Sequence, residues 1–143
     1  MSDQFDLEES DIRAVLDPTA IESFARGHVH VGELLVMIGE EGALVGVPTA
    51  SLLRAHADSA GLANQLARLA VLATLPSVRV LDLNLEVAES AADLVGAVGG
   101  DLALAHAAWA AIEHSAYFVT AEPRPVAKAV PSGFLHVIPT GDA

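Results

Sequence analysis

Short, continuously apolar runs alternate along this chain with longer segments whose apolar residues recur at helical spacing. The runs predict strands near residues 13–17, 43–47, 78–82, 116–120 and 134–138. Between the first four strands, Pro and Gly residues divide each intervening segment into a pair of helices. Strands that are apolar throughout and joined by helices are typical of a parallel sheet covered on both faces. The pattern therefore predicts a three-layer α/β/α fold with a parallel sheet of four to five strands.

Composition and length favour one domain. The chain has 143 residues, of which 52% are hydrophobic, which is enough material for one buried core. We expect residues 1–11 to form a flexible acidic tail and residues 12–143 to form the domain. The absence of cysteine excludes disulfides and thiolate metal sites, and the N-terminus does not resemble a signal peptide. No apolar run is long enough to cross a membrane, so we expect a cytoplasmic protein.

The charge balance restricts the partners. Nineteen acidic and seven basic residues give a net charge of −12, which disfavours unaided binding to nucleic acid. A metal-dependent nuclease stays compatible with this charge, because a bound cation supplies local positive charge. The same acidic surface suits a basic protein partner.

Candidate chemistry lies where strands are predicted to end. Asp17 follows the first strand and Glu122 follows the fourth. Because ligands bind at the carboxyl ends of parallel strands, we expect these two acids to share one pocket. The sequence has no phosphate-binding glycine loop ending in Gly-Lys-Ser/Thr, so P-loop nucleotide binding has no support. It also has no Gly-x-Ser-x-Gly motif, so a serine hydrolase triad has no support.

Four segments, taken in order, resemble the motifs of PIN domains, the fold of VapC-like ribonuclease toxins. They are VLDPT at 15–19, VPTASLLR at 47–54, LPSVRVL at 75–81 and AIEHSAYFVTAE at 111–122. The resemblance implies hydrolysis of RNA with Mg²⁺ or Mn²⁺ held by three or four carboxylates, a ligand type that these ions prefer. It implies that Asp17 and Glu122 are metal-binding and catalytic residues, and that Arg54, Thr19 and Thr120 contact substrate.

The chain departs from the PIN pattern at two acidic positions. Arg54 stands where the family has Glu, six residues after Pro48, and Leu104 stands where it has Asp, sixteen residues before Thr120. Asp58 and Asp101 each lie one helical turn from a departure and are candidate compensating acids. That shift is about 5 Å along a helix, which is large for metal coordination.

Each candidate also has a structural interpretation. Asp17 precedes Pro18 and is a candidate N-cap, and Asp101 is a candidate N-cap after two glycines. Asp58 and Glu122 are compatible with ordinary turn positions. For Arg54, three roles stay open: pairing with Asp17, contacting phosphate, or standing in solvent.

Two functions follow from the resemblance and its departures. The first is a PIN-like domain with an incomplete metal site, catalytically weak or inactive, that acts through protein–protein interaction. The alternative is a divergent Mg²⁺- or Mn²⁺-dependent ribonuclease, the toxin of a toxin–antitoxin pair. We expect a homodimer and an antitoxin or other protein partner, with RNA and a metal ion involved only in the active case. A flavodoxin-like small-molecule binding module is a third class, which lacks the expected glycine-rich loop.

Overall fold

Parallel strands form the centre of the molecule, as the apolar runs predict. The computed structural model describes residues 11–140, so the flexible tail predicted at residues 1–11 lies outside the described residues except for Asp11. The strands are β1 (Ile12–Leu16), β2 (Leu44–Pro48), β3 (Val78–Leu81), β4 (Tyr117–Thr120) and β5 (Leu135–Val137). Their order across the sheet is β3-β2-β1-β4-β5, and every neighbouring pair is parallel. The predicted fold class is confirmed, and each strand begins and ends within one residue of its predicted position.

In the described residues, six α-helices flank the sheet and connect most of its strands. They are α1 (Pro18–Ala25), α2 (Val29–Glu40), α3 (Thr49–Asp58), α4 (Ala63–Leu72), α5 (Leu85–Ala91) and α6 (Leu102–Glu113). Short 3-10 turns follow α5 and precede β5. Within residues 11–140, none of these helices has the length and apolar character needed to span a bilayer.

Two apolar clusters, one on each face of the sheet, form the core. The first joins β1 and β2 to residues of α1, α2 and α4, and includes Leu16, Ile21, Leu35 and Leu69. The second joins β1 and β4 to α6, whose alanines pack closely because their side chains are small. Strand β1 contributes to both clusters, and such double burial explains its unbroken apolar sequence.

A bulge in β1 sets which side chains reach each cluster. Ile12 pairs with Leu44 and Ala14 pairs with Val45, so Arg13 is an extra residue opposite β2. The side chain of Arg13 points to solvent and its guanidinium donates to Glu41 at 2.7 Å. The extra residue reverses the alternation, so that Ile12 and Val15 enter the same cluster although they are three residues apart.

Gly46 in β2 provides a specific test of this packing. A Cβ atom at Gly46 would lie 2.8 Å from Leu81 Cδ1, 3.3 Å from Ile12 Cγ2 and 3.4 Å from Val15 Cγ2. We predict that Gly46→Ala lowers the free energy of unfolding by about 1–3 kcal/mol, because the neighbours must move. Gly96→Ala is the matched control, since no atom lies within 4 Å of its Cβ position. Urea denaturation checks both variants, and equal stabilities would contradict this packing.

Candidate functional site

The carboxyl ends of β1 and β4 lie side by side. Leu16 pairs with Val119 in the sheet, and the Asp17 amide then donates to the Val119 carbonyl at 3.1 Å. Asp17 and Thr120 therefore leave the sheet next to each other. The sequence predicts this convergence because parallel strands present their carboxyl ends at one edge.

Asp17 caps helix α1. Its Oδ1 atom accepts a hydrogen bond from the Ala20 amide at 2.8 Å and one from the Thr19 hydroxyl at 2.7 Å. Pro18 occupies the first helical position, where its missing N–H costs nothing. The capping interpretation of Asp17 is confirmed, and its role as a metal ligand stays a prediction.

A chain of hydroxyl groups connects the exit of β1 to the exit of β4. The Thr19 hydroxyl donates to Asp17 and accepts from the Ala121 amide at 2.8 Å. Its oxygen lies 3.2 Å from the Thr120 hydroxyl, which in turn accepts from the Glu122 amide at 2.9 Å. Either hydroxyl can be the donor between the two threonines. Thr19 and Thr120 use these hydrogen bonds to hold the two segments together, and their predicted contact with substrate stays a prediction.

The carboxyl group of Asp17 is sealed from solvent. The residue is 0% exposed, and its Oδ2 atom has no hydrogen-bond partner among residues 11–140. Burial raises the pKa of Asp17, and the hydroxyls of Thr120 and Thr19 oppose that rise only in part. Burial therefore makes this carboxyl group harder to ionise than an exposed aspartate.

Glu122 lies on the other side of the hydroxyl chain, in a surface pocket. Its side chain is exposed and lines this pocket together with Thr19, Ser23 and Arg26. The side chain of Glu22, also in the lining, forms an ion pair with Arg26 at 3.1 Å. Thr19 borders both groups, but Asp17 does not line the pocket, so the two predicted acids follow neighbouring strands without opening into one cavity.

Arg54 and Asp101 form an ion pair between α3 and α6. Arg54 Nη2 lies 2.5 Å from Asp101 Oδ1, which also accepts from the Leu104 amide at 3.0 Å and so caps α6. Burial alone would raise the pKa of Asp101, but the hydrogen bonds from Arg54 and Leu104 hold this pKa below its ordinary value. The hydrogen bond to Asp101 likewise raises the pKa of Arg54. Arg54 thus pairs with Asp101 and not with Asp17, and the capping interpretation of Asp101 is confirmed.

Two further positions from the sequence analysis, Asp58 and Leu104, lie apart from Asp17 and Glu122 in the chain and contribute no ligand beside them. Asp58 is exposed at the last position of α3. Leu104, which replaces the family's Asp, is buried in the cluster beneath α6. Within residues 11–140, no three His, Cys, Asp or Glu side chains group closely enough to hold a metal ion. The compensating roles suggested for Asp58 and Asp101 stay predictions, and Asp101 is already engaged by two donors.

These residues do not fit a PIN-type metal centre. Asp17 offers one orphaned oxygen, but that oxygen is enclosed and its surroundings disfavour ionisation. Asp101 is neutralised by Arg54, and Leu104 supplies no ligand. We therefore derive no reaction step through a metal ion at this edge of the sheet.

Sequence reasoning missed two features. The Ala121 amide completes the hydroxyl chain, and a backbone group leaves no mark in a sequence motif. His106 is 1% exposed within α6, and in the described part of the chain neither ring nitrogen has a hydrogen-bond partner. The alanine and leucine residues on both sides of His106 were the available signal for this burial.

We predict that Asp17→Asn stabilises the fold at neutral pH. Asparagine keeps the capping oxygen and cannot ionise, so the free energy of unfolding should be higher than that of wild type at pH 7. A carboxyl group whose pKa is raised on folding destabilises the folded state as pH rises from its ordinary pKa of 3.8 through the folded value. The gain from Asp17→Asn should therefore shrink as pH falls toward 4.

Urea denaturation between pH 4 and pH 7 measures this difference. Asp17→Ala is the control, because it removes the charge and the cap together and should not be stabilising. A loss of stability in Asp17→Asn at pH 7 would mean that the native carboxylate is well compensated, contrary to this prediction.

Comparisons with known proteins bear on the fold. Neither family models nor curated protein sequences give a match to this chain. A solved structure described as a toxin-antitoxin complex from Klebsiella pneumoniae contains a similar chain, with a TM-score of 0.63 and 12% sequence identity. The similarity covers 87% of this chain and 99% of that chain. This chain therefore shares its three-layer α/β/α fold with a component of a toxin–antitoxin complex.

Proposed function

We propose that this chain is a PIN-like domain of the toxin–antitoxin type that acts by binding a protein partner and does not cleave RNA. One observation carries the proposal: the Asp17 carboxyl group, the first acid of the PIN pattern, is enclosed and caps α1. A metal-dependent nuclease needs ionised oxygens that face an open site. Asp17 instead is enclosed, and its burial raises the pKa of its carboxyl group.

The two departures from the PIN pattern support the same proposal. Arg54 pairs with Asp101, so the positive group and the nearest replacement acid neutralise each other. Leu104 packs in the core, where a carboxylate would be costly without a partner. Asp17, Arg54 and Leu104 thus each have a structural use in this chain, whereas the Glu122 side chain is exposed in its pocket.

The ribonuclease toxin is the rival function, and one feature favours it. Asp17 and Glu122 follow neighbouring strands, and the orphaned Oδ2 of Asp17 lacks the donor that a buried oxygen normally has. Against it stands the excess of acidic residues, nineteen to seven, which repels the phosphates of RNA.

Support for a protein partner comes from fold and charge. The similar chain belongs to a toxin–antitoxin complex, and the net charge of −12 suits a basic partner. The homodimer expected from the composition stays a prediction. Light scattering at micromolar concentration tests it, and a species of only 14.7 kDa would reject it.

Calorimetry with Mn²⁺ and an RNA cleavage assay test the inactive site. We predict millimolar or weaker Mn²⁺ affinity and no cleavage beyond that of the matched variant Asp17→Asn. Arg54→Glu should bind Mn²⁺ more strongly than wild type, because it replaces the neutralising cation beside Asp101 with an acid. Tight Mn²⁺ binding and RNA cleavage by wild type, both lost in Asp17→Asn, would establish the ribonuclease instead.

A further inference from the structure

His106 is a buried imidazole that lies outside the candidate metal site. It is 1% exposed in α6, and neither ring nitrogen has a hydrogen-bond partner among residues 11–140. Buried polar groups normally have such a partner, so His106 calls for an explanation. Burial also lowers the pKa of His106 from its ordinary value of 6.5.

The helical spacing of α6 places His106 on the side that faces α5. Trp109 and Glu113 follow His106 by three and seven residues, so all three lie on one stripe of the helix. Trp109 and Glu113 line a surface cavity of about 410 Å³, whose lining also includes Glu86 and Val87 of α5. His106 therefore lies one helical turn from a cavity between the two helices.

The cover over this side of α6 buries little apolar surface. Helix α5 contacts α6, and so does the 3-10 turn at Ala92–Leu94. Within the described chain, Ala91 is the one buried residue of α5 and no residue of that turn is buried, whereas α6 buries eight residues. Segments that bury little apolar surface open at a lower cost than a core does. Moving α5 away is therefore the least costly way to bring His106 into contact with water.

The charged and titratable groups around α6 do not stabilise a proton on the buried imidazole. On α5, the 3-10 turn, β3 and the adjoining end of α6 they are Arg79, Asp82, Glu86, Glu89, Asp93, Glu113 and His114. On the other elements that contact α6 they are Arg13, Glu22, Arg54, His56, Asp58 and Tyr117. None of them is a hydrogen-bond partner of His106, and burial is the cause of its lowered pKa. A charged imidazolium in this position would therefore lack a compensating carboxylate.

We propose that His106 is an acid-sensitive switch: when the imidazole takes up a proton, α5 moves away from α6 and the imidazolium reaches the cavity that Glu86 and Glu113 line. The closed arrangement suits a neutral imidazole, because a buried charge without a partner is costly. In the open arrangement, water and the two carboxylates stabilise the charge. The pair of helices is the two-state element, and the proton shifts it because it binds the open state better.

The direction of the pH effect follows from the linkage between protonation and opening. Because the pKa of His106 is lowered in the closed state, its contribution to stability is present above pH 6.5 and is lost as pH falls below that value. With an ordinary pKa in the open state, the equilibrium constant for opening rises about thirtyfold between pH 7.5 and pH 5. Asp17 acts in the opposite direction, because its raised pKa makes acid favour the folded state.

Trp109 is the only tryptophan of the chain, so its fluorescence reports on this cavity. The emission of the full chain is recorded from pH 7.5 to pH 5. We expect a red shift on acidification, with a midpoint below 6.5, because water reaches the indole ring as α5 moves away. His106→Leu and His106→Gln cannot take up the proton, so neither variant should show the red shift. This readout is a change with pH, and it does not require the variants to be as stable as wild type.

His114 provides the matched control, because this histidine also lines the cavity. His114→Gln removes a titratable imidazole near Trp109 and leaves His106 in place. We expect His114→Gln to keep the acid-dependent red shift of wild type.

Hydrogen–deuterium exchange locates the opening. After correction for the intrinsic exchange rates, the opening constant of the α5 amides should rise about thirtyfold from pH 7.5 to pH 5 in wild type and less than about twofold in His106→Gln. The amides of β1 should respond to pH equally in the two proteins, because β1 stays in the sheet when α5 moves.

Four results would overturn the proposal. They are a wild-type emission that does not change with pH, a full red shift in His106→Gln, loss of the red shift in His114→Gln, and a His106-dependent rise in β1 exchange equal to that in α5. The last result would mean that protonation unfolds the domain as a whole. RNA cleavage that needs Mn²⁺ and Asp17 would overturn the inactive site and leave this switch unaffected, because the switch does not involve Asp17.

Discussion

The Thr19 hydroxyl is the interaction on which the carboxyl edge of the sheet depends. It donates to Asp17 and accepts from Ala121, so it joins the strand that serves both core clusters to the neighbouring strand β4. Hydrogen bonds in a low-dielectric interior strengthen one another and are costly to leave incomplete. Strand β1 can therefore end inside the protein, because the carboxyl group of Asp17, the next residue, is hydrogen-bonded there without contact with solvent.

This constraint has a functional consequence. Asp17 is ordered by its hydrogen bonds as a helix cap, and its burial raises the pKa of the carboxyl group, which opposes the ionisation that metal binding needs. Arg54 and Asp101 also have a structural role, because their ion pair joins α3 to α6. Neither the enclosed Asp17 carboxyl group nor the Arg54–Asp101 ion pair is therefore arranged for metal chemistry.

The sequence was sufficient for the fold because strands buried on both faces have a strong signal, such as the run AVL in β1. Caps were predictable for a similar reason, since Asp17 before Pro18 and Asp101 after two glycines are local patterns. The partner of Arg54 lies 47 residues away, and no local pattern specifies a contact that depends on how α3 crosses α6. The bulge at Arg13 and the burial of His106 also depend on tertiary packing.

The titration of Asp17, followed by carbon-detected NMR of its side-chain carboxyl in metal-free protein, tests the central claim most directly. The account predicts a midpoint above the ordinary value of 3.8, because burial dominates the surroundings of this group. Asp101 is an internal reference in the same spectra and should titrate below 3.8. A midpoint for Asp17 at or below 3.8 would contradict the account, since it would mean that the folded protein favours an ionised carboxylate suited to a metal ion.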